Sequence, residues 1–192
     1  MRRSISEQIL EVAGVLFYRE GIRAVGIERI IEEASIAKAT LYRHFPSKDY
    51  LVAAYLSQRH ERVINALEDV RRRTATQREQ IEVIFQELFK KADSREFRGC
   101  AFALAVAEHG DSARIVDVAR EHKRAVRAIF AAILAEAGIT DSQPARHLAL
   151  LYEGALATVA VDRDPAAVLV AGQCALTVFD GAKAALDGRD RQ

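Results

Sequence analysis

Apolar residues recur along the chain at intervals of three and four, and no useful stretch alternates in the two-residue pattern of a strand. The pattern predicts an all-α protein of about nine helices. Ser4 and Glu7 have capping-box spacing at the start of a first helix, whose apolar face is Ile5, Ile9, Val12, Leu16 and Phe17. Gly21 is placed to end it. A short second helix carries Ile27, Ile30, Ile31 and Ala34. The turn Ser35-Ile36-Ala37 then leads to a third helix from Lys38 to about His44, stopped by Pro46. Ser47 can cap a long fourth helix reaching about Arg73.

Thr76 with Glu79 offers a second capping box, for a helix to about Ala92. "CAFALAVA", from Cys100 to Ala107, is apolar on every side and is expected as a short buried helix. Asp111 is placed to cap a long helix ending at Gly138. Two more are predicted over 142–160 and 165–186, the last with Asp164 as N-cap and Pro165 in its first turn. There is no internal repeat and no low-complexity segment. Short helices before residue 45 and long ones after it divide the chain at the fourth helix, into domains 1–47 and 48–192. No flexible linker separates them, so that helix is expected to be a rigid mechanical link.

Half of the 192 residues are apolar, enough for a real core. The net charge of +1 excludes a strongly basic arm or acidic tail, so any nucleic-acid binding must come from local charge placement. Cys100 and Cys174 sit in apolar runs and read as small buried hydrophobes, with a redox pair as the alternative. Met1-Arg2-Arg3 leads directly into an amphipathic pattern without a signal peptide, which predicts a reduced, cytoplasmic setting. The longest apolar run, 165–179, is broken by Gln173 and falls short of the ~20 residues of a bilayer span. No membrane partner is expected.

The densest chemistry lies in "KATLYRHFPSKDYL", Lys38 to Leu51. With Leu41 on the buried side of the third helix, Ala37, His44 and Phe45 fall near it. Ala39, Thr40, Tyr42 and Arg43 then point outward. Such a face suits the DNA major groove, where Arg reads guanine edges and small groups meet thymine methyls. Residues 34–48 contain no acid, although the first 60 residues hold seven acids against nine bases. Lys48, in the first turn of the fourth helix, opposes the helix dipole, a conflict that a phosphate would resolve. Spacing alone leaves open a solvated basic face on an ordinary helical bundle.

The run "ILEVAGVLFYREGIRAVGIERIIEEASIAKATLYRHFPSKDYLVAAYL" closely resembles the DNA-binding domain of the TetR (tetracycline repressor) family. Phe17 and Gly21, the pair Ile27 and Ile30, and above all "TLYRHFPSKDYL" carry the likeness. It is strong over about residues 5–55 and architectural beyond. The resemblance implies a three-helix helix-turn-helix unit docked on the fourth helix, with Lys38 to His44 as recognition helix. By position, Thr40, Arg43 and His44 would lie at or near bases, with Tyr42 and Lys48 on phosphates, and Lys38 and Ala39 complete the DNA-binding set. Gly26 and Ile27 would approach phosphates by their amides. The family usually has glycine where this chain has Ser35, and serine where it has Ala37. Ser35 is therefore expected to strain the turn or alter its angle, and Ala37 removes an N-cap. Both changes leave the motif intact and bear on the operator sequence.

In the last two helices, Leu148, Leu151, Leu156 and Val159, then Val168, Leu169, Val170, Leu176, Val178 and Phe179, cover more than one face. Such helices need burial on two sides, in a large internal core or against a second subunit. The resemblance implies the second, a four-helix interface in a homodimer. It also implies an effector pocket among the fourth to eighth helices. Candidates are Phe85, Phe89, Phe102, Val126 and Tyr152 as walls, each of which also suits plain core packing, with His109, His122 and Glu153 as polar anchors. For an enzyme, Cys100, Glu108, His109 and Asp111 come nearest to a nucleophile–base group, yet their spacing matches no catalytic motif. His109 and His122 lack metal-ligand spacing, and there is no glycine-rich phosphate loop. No catalytic residue, metal or cofactor is expected. Together these features predict a repressor that binds a palindromic double-stranded DNA operator as a homodimer and is released by a small hydrophobic or amphipathic effector. The alternative is a constitutive DNA-binding or adaptor protein without an effector.

Overall fold

The Ser4 capping box forms as expected. Its hydroxyl accepts the Glu7 amide at 3.2 Å, and the Glu7 carboxylate accepts the Ser4 amide at 2.7 Å. The computed structural model describes residues 4–189, and among them folds nine α-helices and no strand. These are α1 (Ile5–Glu20), α2 (Ile27–Glu33), α3 (Lys38–His44), α4 (Lys48–Arg73), α5 (Gln77–Ala92), α6 (Ala101–His109), α7 (Ala113–Glu136), α8 (Ser142–Asp162) and α9 (Ala166–Arg189). Residues 1–3, on which the reading of the N-terminus rested, lie outside the described residues.

Several local expectations change. On α1, Ile5 is exposed and Ala13 takes a buried place beside Ile9, Leu16 and Phe17. Thr76 accepts the Glu79 amide at 3.3 Å, so half of the second capping box is present. The α7 helix starts at Ala113, after Ser112 rather than after Asp111. Helix α6 buries Ala101, Phe102 and Ala105 but exposes Ala103 and Ala107, so it is not enclosed on every side. Alanine makes this cheap, because an exposed methyl forfeits little burial. Cys174 is exposed rather than buried, and Cys100 is half-buried; both thiols are free. The stretch Ala166–Gly188 is, by length and composition alone, apolar enough to cross a membrane, and only 22% of its most apolar part is buried. The apolar run is therefore longer than expected, and much of it faces outward.

Two compact units result. The first joins the chain up to Arg62 with Ala101–His122; the second joins Val63–Cys100 with the chain from Lys123 onward. This division by packing cuts α4 between residues 62 and 63 and does not coincide with 1–47 and 48–192. In the first unit Ile9, Ala13, Phe17, Ile30, Leu41, Leu51 and Leu56 are closed off from solvent. Gln8 of α1 donates to the Ala34 carbonyl at 2.8 Å, satisfying the end of α2. The second unit is held by α5, α8 and α9 around Ile81, Phe85, Phe130, Leu148, Tyr152 and Val168. Phe85, Phe130 and Tyr152 pack ring against ring, with centroids 6.1–6.4 Å apart. A Cβ on Gly172 would stand 3.0 Å from that of Phe85, so glycine sets how closely α9 approaches α5. Buried Gln80 donates to the carbonyls of Arg71 (3.2 Å) and Thr74 (3.4 Å), capping the end of α4.

Candidate nucleic-acid interface and regulatory residues

The turn between α2 and α3 carries the strain the sequence implies. Ser35 has φ 51°, in the left-handed region, where a side chain crowds the next carbonyl. Ala37 precedes α3 without a side-chain cap. The helix is held from below by Leu41, which is fully buried, and by Phe45, whose amide donates to the Leu41 carbonyl at 2.8 Å. Lys38, Ala39, Tyr42, Arg43 and His44 are exposed and Thr40 half-exposed, a continuous outward face. His44 and Ala37, placed near Leu41 by helical spacing, are exposed as well: Ala37 precedes the helix with extended backbone, and the chain leaves the helix just after His44. The His44 and Phe45 rings are tilted against each other, with centroids 6.4 Å apart.

The polar groups of this face are partly engaged. Arg43 donates to the Thr40 hydroxyl at 3.4 Å, a weak contact that a base edge can displace. Lys38 pairs with Glu28 of α2 at 3.2 Å, both ends exposed. Backbone hydrogen bonding first, then Lys38, holds the Glu28 carboxyl below its usual range. Gly26 is the N-cap of α2 and carries no side chain to fill its first turn, with Ile27 next to it half-buried.

Lys48 differs from the expected free phosphate contact. It is half-buried, and that burial pushes its ammonium below the ordinary range, with the Glu108 and Asp49 carboxylates opposing the shift. Glu108, on α6, accepts the Arg23 amide at 2.7 Å, and its oxygens would lie 3.3 Å from a Cβ on Gly21. One carboxylate thus touches the α1–α2 turn and, with Asp49, opposes the effect of burial on Lys48. Sequence reading missed it: Arg23 and Glu108 lie 85 residues apart, and no period marks such a contact. Arg114 stacks on Tyr50 at 3.8 Å from the ring centroid, another tie from the 101–122 segment.

The expected effector residues fall in both units. Phe102, His109 and His122 belong to the first; Phe85, Phe89, Val126, Tyr152 and Glu153 to the second. Phe102 stacks on buried His122 at 3.7 Å, and His122 Nδ1 faces His60 Nδ1 at 3.3 Å. The Nε2 of His109 is buried with no hydrogen-bond partner among the described residues. Phe85, Val126 and Tyr152 are core residues of the second unit, and Phe89 is half-buried beside them. Glu153 forms an ion pair with Lys123. A separate apolar groove of about 700 Å³ lies between α8 and α9, lined by Leu150, Leu151, Gly154, Val170, Cys174 and Val178 among others.

Two helices packed through Ile9, Ala13, Phe17 and Ile30 that present a short, exposed, acid-free third helix define a helix-turn-helix protein. Comparison with known proteins agrees. Residues 9–55 match the model of the bacterial regulatory proteins of the tetR family. A crystallised TetR-family transcriptional regulator from Streptomyces coelicolor is 32% identical, covers 93% of this chain and 94% of its own, and superposes with a TM-score of 0.81. The transcriptional activator FasR of Mycolicibacterium smegmatis is 28% identical over 93 residues, which are 47% of this chain and 42% of that one. The repressor KstR of Rhodococcus jostii is 37% identical over 57 residues, 30% of this chain and 27% of its own. The chain thus spans less than half the length of these two curated relatives. It belongs to the tetR family of bacterial regulatory proteins. That membership makes it a DNA-binding transcription regulator and not an enzyme.

Proposed function

We propose that the protein is a ligand-responsive repressor that binds a palindromic operator as a homodimer, with domains 1–47 for DNA and 48–192 for regulation. The exposed, acid-free face of α3 carries this reading. Arg43, Thr40, Ala39, Lys38 and His44 meet base edges, while Tyr42, Lys48 and the amides of Gly26 and Ile27 hold phosphates. Seven residues of helix read few base pairs, so two copies are needed for useful specificity. The outward apolar residues Leu150, Val161, Leu169 and Val170, 44–80% exposed, supply a surface for the second copy. The name of KstR favours repression; that of FasR marks activation as the competing outcome.

An effector reading is supported by the unpartnered His109 Nε2, which a polar group of a bound molecule would satisfy. Within the first unit Phe102 and His122 are the proposed wall and anchor alongside His109, and within the second Phe85, Phe89, Val126, Tyr152 and Glu153 are the proposed candidates. Binding releases DNA only if the effector favours the state with the wrong spacing of recognition helices. The test is to select DNA from a random library with the purified protein, then screen hydrophobic and amphipathic compounds for release. Recovery of an inverted repeat bound by a dimer, and its release by one chemical class, is expected. A monomer, or a site without two-fold symmetry, overturns the dimeric operator; release by no compound leaves the constitutive DNA-binding alternative.

A further inference from the structure

Three side chains from separate parts of the second unit converge. Lys123 of α7 donates from Nζ to Cys100 Sγ at 3.2 Å, and the same ammonium pairs with the Glu153 carboxylate of α8. All three are half-buried, so each keeps some exposure to solvent and to a small oxidant. A cysteine packed merely as a small hydrophobe has no need of a charged donor on its sulfur.

We propose that Cys100 and Lys123 form a modification site, at which a two-electron oxidant of the peroxide class installs a reversible sulfur–nitrogen bond. A sulfenic acid is the first product of thiol oxidation, and it condenses with a neighbouring thiol or nitrogen. Here the neighbour within reach is an amine. Hydrogen peroxide transfers one oxygen to Cys100: its O–O bond breaks, sulfur loses two electrons, and one water leaves. Lys123 passes a proton to Glu153 and becomes a free amine. Its nitrogen attacks sulfur, the S–N bond forms and the S–O bond breaks. The departing hydroxide takes the second nitrogen proton and leaves as water. Thiol, ammonium, carboxylate and peroxide thus become a sulfenamide, a carboxylic acid and two waters. Two equivalents of an external thiol reverse the bond, regenerating thiol and amine and leaving a disulfide of the reductant.

The position gives the bond a consequence. The chain leaves the second unit after Cys100 and re-enters it at Lys123. The bond therefore closes a covalent ring around Ala101–His122, the segment that carries Phe102, Glu108, His109 and Arg114. This proposal rests on the cluster alone and stands apart from the effector reading.

The test uses the full-length protein, freed of thiols, with hydrogen peroxide, followed by intact-mass measurement and peptide mapping. The expected product is lighter by two hydrogens, links the Cys100 and Lys123 peptides, and reverts with dithiothreitol. Cys174→Ser should behave like wild type. Cys100→Ser and Lys123→Arg should not cross-link; arginine keeps the ion pair with Glu153 and so preserves the fold, but its guanidinium is a poor nucleophile. Glu153→Gln should slow the cross-link and divert Cys100 to higher oxides. Oxygen addition alone at Cys100, an unreactive Cys100, or a cross-link that survives in Lys123→Arg would each overturn the site.

Discussion

A hydroxymethyl group at Ser35, held at φ 51°, costs roughly 1 kcal/mol or more in a left-handed backbone. Glycine would remove that cost but lose more chain entropy on folding, roughly 0.5–1 kcal/mol. Ser35→Gly should therefore stabilise the protein by a few tenths of a kcal/mol up to about 1 kcal/mol. Ala37→Ser should add about 1 kcal/mol by capping α3. Urea midpoints that rise without a change in slope would check both. On the proposed DNA face the residues should divide by role. Arg43→Ala should cost about 1–3 kcal/mol at its preferred operator and relax base preference there. Lys48→Ala should weaken all sequences alike and lower the salt slope by about 1 per half-site. Titrations of two unrelated DNA sequences over a salt series distinguish these. A Lys48→Ala protein with altered preference and an unchanged slope would reverse the assignment.

Helices α8 and α9 bury one face in the second unit and show another to solvent, with Leu150 at 68% and Val170 at 60% exposure beside the α8–α9 groove. Paired charges there, Leu150→Glu with Val170→Glu, should leave chemical stability within about 0.5 kcal/mol, since exposed sites tolerate change. The same variant should sediment as a monomer where the parent sediments as a dimer. A dimer that persists would place the interface elsewhere. Helix by helix, much of this was legible in the sequence. The bounds of α3 and α4, the caps at Ser4, Asp164 and Ser47, and the strained turn all follow from neighbours a few residues apart. What escaped depends on distant parts of the chain. Glu108 acts on a turn 85 residues away, and Lys123 meets Cys100 and Glu153 across 23 and 30 residues. Cys174 was misread because an apolar run looks the same whether it faces a core or solvent.

For the whole molecule, an effector should be visible as stabilisation before it is identified. At a hundredfold excess over its Kd it adds about 2.7 kcal/mol, provided it binds only the folded protein. Ala105→Phe is the matching control. Ala105 is fully buried in α6, so a phenyl ring either fills space that a ligand uses or overpacks solid core at a cost of about 1–3 kcal/mol. The proposed effector site predicts the first: nearly unchanged stability and DNA affinity, with release abolished. Thermal melts and release assays on parent and variant decide between them. The segment 101–122 also limits how this regulator can be re-engineered. Its Glu108, Arg114 and His122 touch Arg23, Tyr50 and His60, all within the first unit. A hybrid made by splicing residues 1–47 onto another regulator's sensor would break the Arg23–Glu108 contact, and a cut after residue 62 would break all three. An exchangeable DNA-reading cassette has to be cut as two pieces of chain, the second lifted from the middle of the sensor it leaves behind.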